Sequence, residues 1–580
     1  MLMNDYVSVA DAFGSYEQLR KSFAIRVPER FNFAFDVADR YAETEPDRRA
    51  LMWCDDAGGE RMFTFADLRR ESNRTARFLQ SLGVRKGDAV MLVLRRRYEF
   101  WFFLLALHKI GAIAVPATNM LHASDIVYRT NAAGIKVIVS LDDPVLQKEV
   151  DAALPDSPTL RHCVTVGAKR AGWVSFAECA APPDTFPRPS GADAIRNEDI
   201  MLLYFTSGTS GEPKMVQHNF TYPLGHIATA KYWQNVTDGG LHLTVAETGW
   251  AKAVWGKIYG QWLAGSAVFA YDMESFVPNK LLEKIARYRI TTFCAPPTVY
   301  RYLIKLDLGK YDLSSLAYYT TAGEALNPEV SNRFTEMTGR LIYEGYGQTE
   351  TTLVVGTFTG MKQKPGSMGK PAPGYDIDII NADGTSCAVG EEGEIVLQLE
   401  RGRPFGMFAG YYRDEALGEQ AFRNNVYHTG DVAFRDDDGY FWFSGRTDDM
   451  IKSAGFRISP FEVESALQQH PAVLECAVTG VYDPQRGQIV KATVVPAPGY
   501  EPNPALGREL QDFVKRTTAQ YKYPRIVEFV EELPKTVSGK IRRSSIREQD
   551  EQAAGEYGRN AGRQALRKTA AAGEHEQIAE

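Results

Sequence analysis

The chain has 580 residues, a net charge of −7, 44% hydrophobic residues and 24% charged residues. This length exceeds what one compact core accommodates, so we expect two or more domains in an ordinary globular protein. The acidic balance gives no charge signature for nucleic acid or for an anionic membrane surface. The six cysteines include no CxxC pair and the nine histidines form no HExxH motif, which disfavours a zinc site or a disulfide framework.

The N-terminal segment lacks a basic region followed by an apolar one. It therefore has the features of neither a signal peptide nor a transit peptide, and we expect a cytoplasmic protein. The most apolar stretch, residues 100–107, is far shorter than a membrane span. We interpret it as a buried helix.

The first 200 residues alternate helical and strand patterns. Thr64 and Asp67 form a predicted capping box at the start of a helix that ends near Gly83. A strand, a helix and a second strand follow, and this rhythm favours mostly parallel sheets covered by helices. The further predicted segments are strand 89–94, helix 100–110 and strands 112–115, 200–205, 291–294, 318–321 and 341–343.

From about residue 372 the strands shorten and turns become frequent, which indicates a smaller β-rich module. A new α+β pattern follows, with a helix at 460–469 and a strand at 477–481. We therefore expect an α/β fold with a large N-terminal domain of two mixed or parallel sheets plus a β-rich subdomain, and a small mobile α+β C-terminal domain. The expected domains are 1–447 and 448–546, with a disordered tail at 547–580.

A glycine-rich loop follows the predicted strand that ends at Phe205. Its glycines permit positive φ angles and close backbone approach to an anion, while its hydroxyls and its lysine add donors and a charge. These features predict a phosphate-binding loop. Its residues are Thr206, Ser207, Gly208, Thr209, Ser210, Gly211, Glu212, Pro213 and Lys214.

The loop differs from the P-loop of kinases and GTPases, which requires GxxxxGK[ST]. Here Gly211 is followed by Glu212 and Pro213, so the lysine comes two residues late. Proline also prevents a helix from running through this point from the loop. A P-loop NTPase is therefore excluded by the pattern.

The sequence YFTSGTSGEPK resembles the phosphate-loop signature of the adenylate-forming superfamily. Five further segments match that superfamily in order and spacing: AGE at 322–324, YGQTE at 346–350, YHTGD at 427–431, GRTDD at 445–449 and PKTVSGK at 534–540. Through AETGW, APPTVYR, DDMIKSAGFRISPFEVE and YKYPR, the chain is most similar to medium-chain acyl-CoA synthetases. The resemblance covers roughly residues 30–546.

The resemblance implies a two-step reaction. A carboxylate attacks the α-phosphate of ATP to give acyl-AMP and pyrophosphate, and the thiol of coenzyme A then displaces AMP. ATP, Mg²⁺ and coenzyme A are the implied cofactors, and a small carboxylic acid is the implied partner. The resemblance leaves the oligomeric state open, with a homodimer as one option.

The resemblance also assigns the nucleotide contacts. Glu350 holds Mg²⁺, Thr349 contacts the α-phosphate and Asp431 accepts hydrogen bonds from the ribose hydroxyls. Tyr346 faces the backbone of Gly323, Glu324 and Ala325 across the adenine slot. The rest of the second nucleotide segment comprises Glu344, Gly345, Gly347 and Gln348.

Lys540 is the residue that the resemblance assigns to adenylation, because the matching lysine reaches the carboxylate and the α-phosphate. Arg446 and Arg457 are expected to contact ribose or phosphate. Asp448 matches the hinge about which the C-terminal domain turns between the two half-reactions. The coenzyme A contacts implied by the resemblance are Ala454, Gly455, Phe456, Arg486, Lys515 and Tyr523.

The acyl pocket is expected near Gly347, where acetate-specialised relatives carry tryptophan. A missing indole favours acids larger than acetate, and straight medium chains, branched short acids and aryl acids all stay open. Residues 250–262 place Trp250, Val254, Ile258 and Trp262 on one helical stripe, with Lys257 on the same face. Trp250 is expected to form a pocket wall, and a partly buried Lys257 to shorten the pocket or to meet a polar acid.

Three other functions share these motifs. An acyl-AMP ligase or adenylation domain would load a carrier protein, but no carrier domain follows residue 546. A luciferase-like oxidative enzyme shares the fold. A catalytically silent nucleotide-binding homologue would need a lost lysine or glutamate, whereas Lys540 and Glu350 are both present.

Overall fold

The computed structural model describes residues 1–9, 14–179, 185–206, 212–535 and 541–552. Up to the phosphate loop, strands and helices alternate as the sequence predicts. The strands here are β1 Val7–Ser8, β2 Ala24–Ile25, β3 Arg49–Asp55, β4 Glu60–Thr64, β5 Ala89–Val93, β6 Ile113–Pro116, β7 Ile135–Leu141, β8 His162–Val166, β9 Val174–Ser175 and β10 Ile200–Thr206. The helices are α1 Tyr16–Ser22, α2 Arg40–Thr44, α3 Phe65–Ser81, α4 Glu99–Ile110, α5 Ala123–Ala133 and α6 Pro144–Ala153.

After the loop the alternation continues to residue 371. The strands are β11 Lys214–Asn219, β12 Leu241–Thr244, β13 Ala267–Asp272, β14 Thr292–Ala295, β15 Tyr318–Ala322, β16 Ile342–Gly347, β17 Leu353–Gly356 and β18 Lys370–Pro371. The helices are α7 Tyr222–Ile227, α8 Lys252–Lys257, α9 Tyr259–Leu263, α10 Pro278–Arg287, α11 Pro297–Leu303 and α12 Pro328–Thr338.

Strands dominate the next segment, and the last segment mixes strands with helices. The first group is β19 Ile377–Ile380, β20 Gly393–Gln398, β21 Gly410–Tyr411, α13 Glu415–Ala421, β22 Val426–Arg435 and β23 Phe441–Arg446. The second group is β24 Ile451–Ser453, β25 Phe456–Ile458, α14 Pro460–Leu467, β26 Val473–Asp483, β27 Gly487–Pro496, α15 Pro504–Thr517 and β28 Ile526–Phe529.

Two large sheets form the N-terminal part. The eight-stranded sheet has the order β21-β11-β10-β6-β5-β7-β8-β9, and the nine-stranded sheet has the order β18-β17-β16-β15-β14-β12-β13-β3-β4. Their central strands are parallel, whereas β11, β21, β17, β18 and β4 pair antiparallel at the edges. The remaining sheets are a two-stranded sheet of β1 and β2, a four-stranded sheet of β19, β20, β22 and β23, and a C-terminal sheet of β24 to β28. The predicted fold class is confirmed.

Local signals in the first 110 residues agree with the structure. Thr64 and Asp67 form the capping box of α3, with the Asp67 amide 3.2 Å from Thr64 Oγ1 and the Thr64 amide 3.0 Å from Asp67 Oδ2. Every residue of α4 is buried, as the uninterrupted apolar stretch predicts. Within the described part of the chain, no helix is both long and apolar enough to cross a membrane.

The continuous helix expected over residues 250–262 is wrong, because the chain breaks at Ile258, whose φ is −143° and ψ is −78°. Glycines flank this break. A Cβ on Gly256 would lie 1.8 Å from Thr244 Oγ1, and one on Gly260 would lie 2.4 Å from the His226 carbonyl oxygen. The glycines permit these close approaches, and they also weaken the helix.

The C-terminal domain has its own core around β26, β27, α14 and α15. The boundary expected at residue 546 falls inside a helix that spans residues 543–552. Ion pairs hold this helix to the domain: Arg543 with Glu464, Arg547 with Asp449, and Asp550 with Lys491.

Candidate active site

The phosphate loop is the connection of an antiparallel hairpin. Thr206 at the end of β10 pairs with Lys214 at the start of β11. Because a strand follows the loop, this geometry differs from the strand–loop–helix arrangement of a P-loop. The predicted residues Ser207 to Gly211 lie outside the described residues, as does Lys540.

The carboxyl ends of β15 and β16 meet beside this hairpin, since the two strands are parallel neighbours. In open α/β sheets, ligands bind at the carboxyl ends of the strands. Gly323 follows β15 with a φ of +102°, and the YGQTE segment begins inside β16. The sheet therefore brings together the two segments that the sequence predicts for the nucleotide.

Asp431 on β22 is the centre of a buried hydrogen-bond cluster. Its Oδ2 accepts from the Tyr346 hydroxyl at 2.6 Å and from Gln348 Nε2 at 2.5 Å. Arg446 Nη1 lies 3.5 Å from Oδ1. The Tyr427 hydroxyl donates to Gln348 Oε1 at 2.8 Å. Four predicted nucleotide residues thus converge here. Tyr346 and Gln348 lie 85 and 83 residues before Asp431, whereas Arg446 lies opposite Asp431 on the paired strand β23.

The segment after Gly323 is held by charged and polar side chains. Glu324 Oε1 accepts from Thr298 Oγ1 at 2.9 Å, and Arg301 lies 3.5 Å from the same carboxylate. Glu344 accepts from the Leu326 amide at 3.0 Å. Burial raises the pKa of Glu344 to about 8, so its carboxyl group is mostly protonated at neutral pH. Glu344 thus holds the 323–326 segment through its hydrogen bond to the Leu326 amide.

Glu350 lies at the turn that follows β16 and is half-buried. The Tyr411 hydroxyl donates to its Oε1 at 3.0 Å, and its carbonyl oxygen accepts from the Phe408 amide at 2.7 Å. Burial raises the pKa of Glu350, while a hydrogen bond from its own backbone amide, the Tyr411 hydrogen bond and the charge of Lys214 oppose that rise. Among the described side chains, only the Tyr411 hydroxyl donates a hydrogen bond to this carboxylate, which leaves room for a cation.

His218 on β11 holds the neighbouring residue. Its Nε2 donates to the Thr349 carbonyl oxygen at 2.9 Å, and its ring stacks on Tyr222 at 3.7 Å. Burial lowers the pKa of His218 to about 3, so the imidazole is neutral. His218 therefore ties the strand that follows the phosphate loop to the turn that carries Thr349 and Glu350.

Helix α8 lies against the two glycine-containing strand ends. Lys252 Nζ donates to the Ala322 carbonyl, and it lies 3.4 Å from the position of a Cβ on Gly323. A Cβ on Gly347 would lie 2.5 Å from Trp255 Cη2 and 2.3 Å from the Thr352 carbonyl oxygen. The space beside Gly347 is therefore occupied by the Trp255 indole, a residue that the sequence pattern did not single out.

Trp250 is half-buried in the turn before α8. Lys257 is 1% exposed, so the expected partial burial is wrong. Residues two apart on a helix point to different sides, and Trp255 faces Gly347. Lys257 instead faces the charges of Arg96, Asp272 and Glu247, and burial lowers its pKa to about 7.

The predicted coenzyme A residues lie on the C-terminal domain in two contacting groups. Ala454, with φ +49°, donates its amide to the Arg486 carbonyl at 2.8 Å, and the exposed Phe456 stacks on Tyr521 at 4.3 Å. Lys515 Nζ lies 4.4 Å from the centre of the Tyr523 ring.

The domain junction carries the remaining predicted residues. Asp448 is exposed between β23 and β24, and Arg446 Nε lies 3.4 Å from its Oδ1. Arg457 is exposed on β25. No hydrogen bond or ion pair links Arg457 to the Asp431 cluster in the described part of the chain.

Comparison with known proteins agrees with this site. The family model described as "AMP-binding enzyme" matches residues 38–412, and the model described as "AMP-binding enzyme C-terminal domain" matches residues 462–540. The chain belongs to the family of AMP-binding enzymes.

Individual relatives cover almost the whole chain. The human mitochondrial acyl-coenzyme A synthetase ACSM3 is 40% identical over 93% of this chain and 93% of its own length. Human mitochondrial ACSM5 is 41% identical over 90% of this chain and 91% of its own length. These relatives confirm the expected enzyme class, an AMP-forming acyl-CoA synthetase.

Two solved structures also match. The anthranilate CoA ligase AuaEII in complex with anthranoyl-AMP has a TM-score of 0.83 and 31% identity, covering 91% of this chain and 99% of that chain. A benzoate CoA ligase from Burkholderia xenovorans LB400 has a TM-score of 0.77 and 27% identity, covering 89% of this chain and 100% of that chain. The family uses ATP and coenzyme A, and the expected two-step activation of a carboxylic acid is confirmed.

Proposed function

We propose that this AMP-binding enzyme activates carboxylic acids larger than acetate. The candidate substrates are straight medium-chain acids, branched short acids and aryl acids. The observation that carries the nucleotide site is the Asp431 cluster, in which Tyr346, Gln348 and Arg446 converge on one carboxylate. A carboxylate can accept hydrogen bonds from both ribose hydroxyls, and the Arg446 guanidinium lies 3.5 Å from this one. Tyr346 and the Gly323–Ala325 backbone then enclose the adenine.

The triphosphate is proposed to lie between the phosphate loop and Glu350. Lys214 is half-buried at the start of β11, where its ammonium group can neutralise phosphate charge. Thr349 is held at its carbonyl by His218 and so presents its side chain from a fixed backbone. Displacement at phosphorus depends mainly on positioning and on charge neutralisation, which these residues supply.

Glu350 is the proposed magnesium ligand. No cluster of three or more His, Cys, Asp or Glu side chains suited to a metal ion occurs within the described residues. Magnesium bound with a nucleotide needs only one or two protein carboxylates, because phosphate oxygens and waters complete its octahedron. The ion would neutralise the phosphates and polarise the phosphorus centre. The Glu350 carboxylate, to which Tyr411 is the only described side-chain donor, and the nearby Lys214 fit such a site.

Lys540 is proposed to direct adenylation by contacting the acid carboxylate and the α-phosphate. Arg457 is proposed to contact phosphate once the C-terminal domain has turned about Asp448. The exposed 454–456 segment, with Arg486, Lys515 and Tyr523, is proposed to hold coenzyme A for the thioester step.

The acyl group is proposed to extend toward Trp255 and Gly347. Trp255 is 6% exposed and packs edge-to-face on Trp233, with 6.3 Å between ring centres. Such a wall of large apolar rings suits alkyl or aryl groups. Two solved relatives are named for anthranilate and benzoate, which supports aryl acids as candidates.

Two expectations stay predictions. The relatives ACSM3 and ACSM5 carry the word mitochondrial in their names, so the cytoplasmic location expected from the N-terminal sequence is open to test. The second is the oligomeric state, for which a homodimer is the expected option.

Pyrophosphate release against a panel of acids, with and without coenzyme A, tests this function. We expect acid-dependent release, AMP formation and a thioester product when coenzyme A is added. Lys540→Ala should lower the adenylation rate by about 10²–10³. Release of pyrophosphate with neither AMP nor thioester formation on adding coenzyme A would overturn the ligase function.

A further inference from the structure

Tyr411 on the edge strand β21 contacts two residues expected to handle the nucleotide phosphates. Its hydroxyl donates to Glu350 Oε1 at 3.0 Å, and Lys214 Nζ lies 5.5 Å from the centre of its ring. Tyr411 is 8% exposed. One aromatic side chain therefore touches both the expected metal ligand and the lysine of the phosphate loop.

The backbone around Tyr411 is fixed on two sides. Toward β11, the Ala409 amide donates to Gln217 and the Tyr412 amide to Met215, each at 2.8 Å. Toward the turn after β16, the Phe408 amide donates to the Glu350 carbonyl at 2.7 Å. The strand thus links the phosphate-loop hairpin to the Glu350 turn, and the Tyr411 ring has little freedom to move.

The ammonium group of Lys214 and the carboxylate of Glu350 carry opposite charges, so an ion pair between them would be expected. No ion pair joins Lys214 to Glu350 among the residues that the structure describes, although Lys214 lies over the Tyr411 ring and Glu350 accepts from the Tyr411 hydroxyl. An ion pair there would occupy the carboxylate oxygens that a cation needs, and breaking it would cost free energy whenever a metal–nucleotide complex binds.

We propose that Tyr411 is a positioning residue for the magnesium–nucleotide complex. Its hydroxyl fixes the orientation of the Glu350 carboxylate, and its ring prevents Lys214 from pairing with that carboxylate. This inference rests on the proposed function, in which Glu350 holds the cation and Lys214 meets the phosphates.

Two substitutions separate the hydroxyl from the ring. Tyr411→Phe keeps the ring and removes the hydrogen bond to an ionised carboxylate, so the affinity for the metal in the presence of ATP should fall about tenfold. Tyr411→Leu also removes the aromatic spacer. It should therefore lower metal-free ATP affinity as well, because Lys214 is then free to pair with Glu350.

Direct binding is the readout. Electron paramagnetic resonance measures Mn²⁺ bound to the enzyme in the presence of ATP, and calorimetry measures metal-free AMP and ATP affinity. Tyr412→Phe is the matched control, since its neighbouring hydroxyl makes no hydrogen bond to a described residue. We expect Tyr412→Phe to bind Mn²⁺ like the parent enzyme, and Tyr411→Phe to retain parental AMP affinity.

The outcomes distinguish this inference from the proposed function. If Glu350→Gln weakens Mn²⁺ binding while Tyr411→Phe does not, the role of Tyr411 is wrong and the metal site stands. If Glu350→Gln binds Mn²⁺ like the parent, the proposed metal site itself fails. Loss of AMP affinity in Tyr411→Phe equal to the loss of Mn²⁺ affinity would indicate general damage and would also overturn the positioning role.

Discussion

Trp255 offers the most direct test of the acyl pocket. Its indole Cη2 lies 2.5 Å from the position that a Cβ on Gly347 would take, so this ring occupies the volume beside the glycine. Trp255→Ala removes the ring and leaves the backbone of β16 unchanged. We expect the variant to accept longer acids than the parent enzyme.

The expected size of the shift follows from apolar burial. Each additional buried methylene contributes about 0.8 kcal/mol, or roughly fourfold. An acid two methylenes longer than the parent optimum should therefore gain about 15-fold in relative kcat/KM. The substitution also empties a buried site next to Trp233, so a loss of about 3–5 kcal/mol of stability is expected.

Acid-dependent ATP–pyrophosphate exchange over a straight-chain series measures the preference. Trp173→Ala is the control, because Trp173 is a half-buried tryptophan that hydrogen-bonds Asp151 on another part of the N-terminal domain. It should leave the chain-length profile unchanged. If Trp255→Ala lowers activity toward all acids equally and keeps the same optimum, the indole does not limit the pocket.

Two buried lysines give further predictions. Lys109 is fully buried and donates to Asp39 at 2.8 Å, so Lys109→Ala should lower the free energy of unfolding by about 3–5 kcal/mol, because it leaves that carboxylate unpaired. The double variant Lys109→Met with Asp39→Leu should recover most of the urea midpoint. A Lys109→Ala variant as stable as the parent would contradict this role. For Lys257, burial lowers the pKa to about 7, so the unfolded chain binds more protons than the native chain between about pH 7 and pH 10. Parental stability should rise with pH across that window, whereas Lys257→Met should be more stable than the parent near pH 7 and lose this advantage near pH 10. A pH-independent difference in urea midpoint would refute the assignment, and a changed acid preference would instead favour a pocket role for Lys257.

Much of the architecture was predictable from local pattern. The capping box at Thr64, the buried helix at 99–110 and the strand that leads into the phosphate loop each depend on residues close in sequence. The break at Ile258 was not predictable in this way. It results from close contacts of Gly256 and Gly260 with β12 and α7, and helical periodicity contains no information about those neighbours.

The sequence by itself determined the class of reaction through its resemblance to the adenylate-forming enzymes, because the motifs that carry this resemblance are short contiguous segments. Only the tertiary structure decided which side chains support them. Tyr411 lies 61 residues from Glu350, and His218 lies 131 residues from Thr349. A tyrosine in a short edge strand or a histidine in a strand has no distinguishing pattern. Its role arises only when sheet pairing brings it within hydrogen-bond distance of the site.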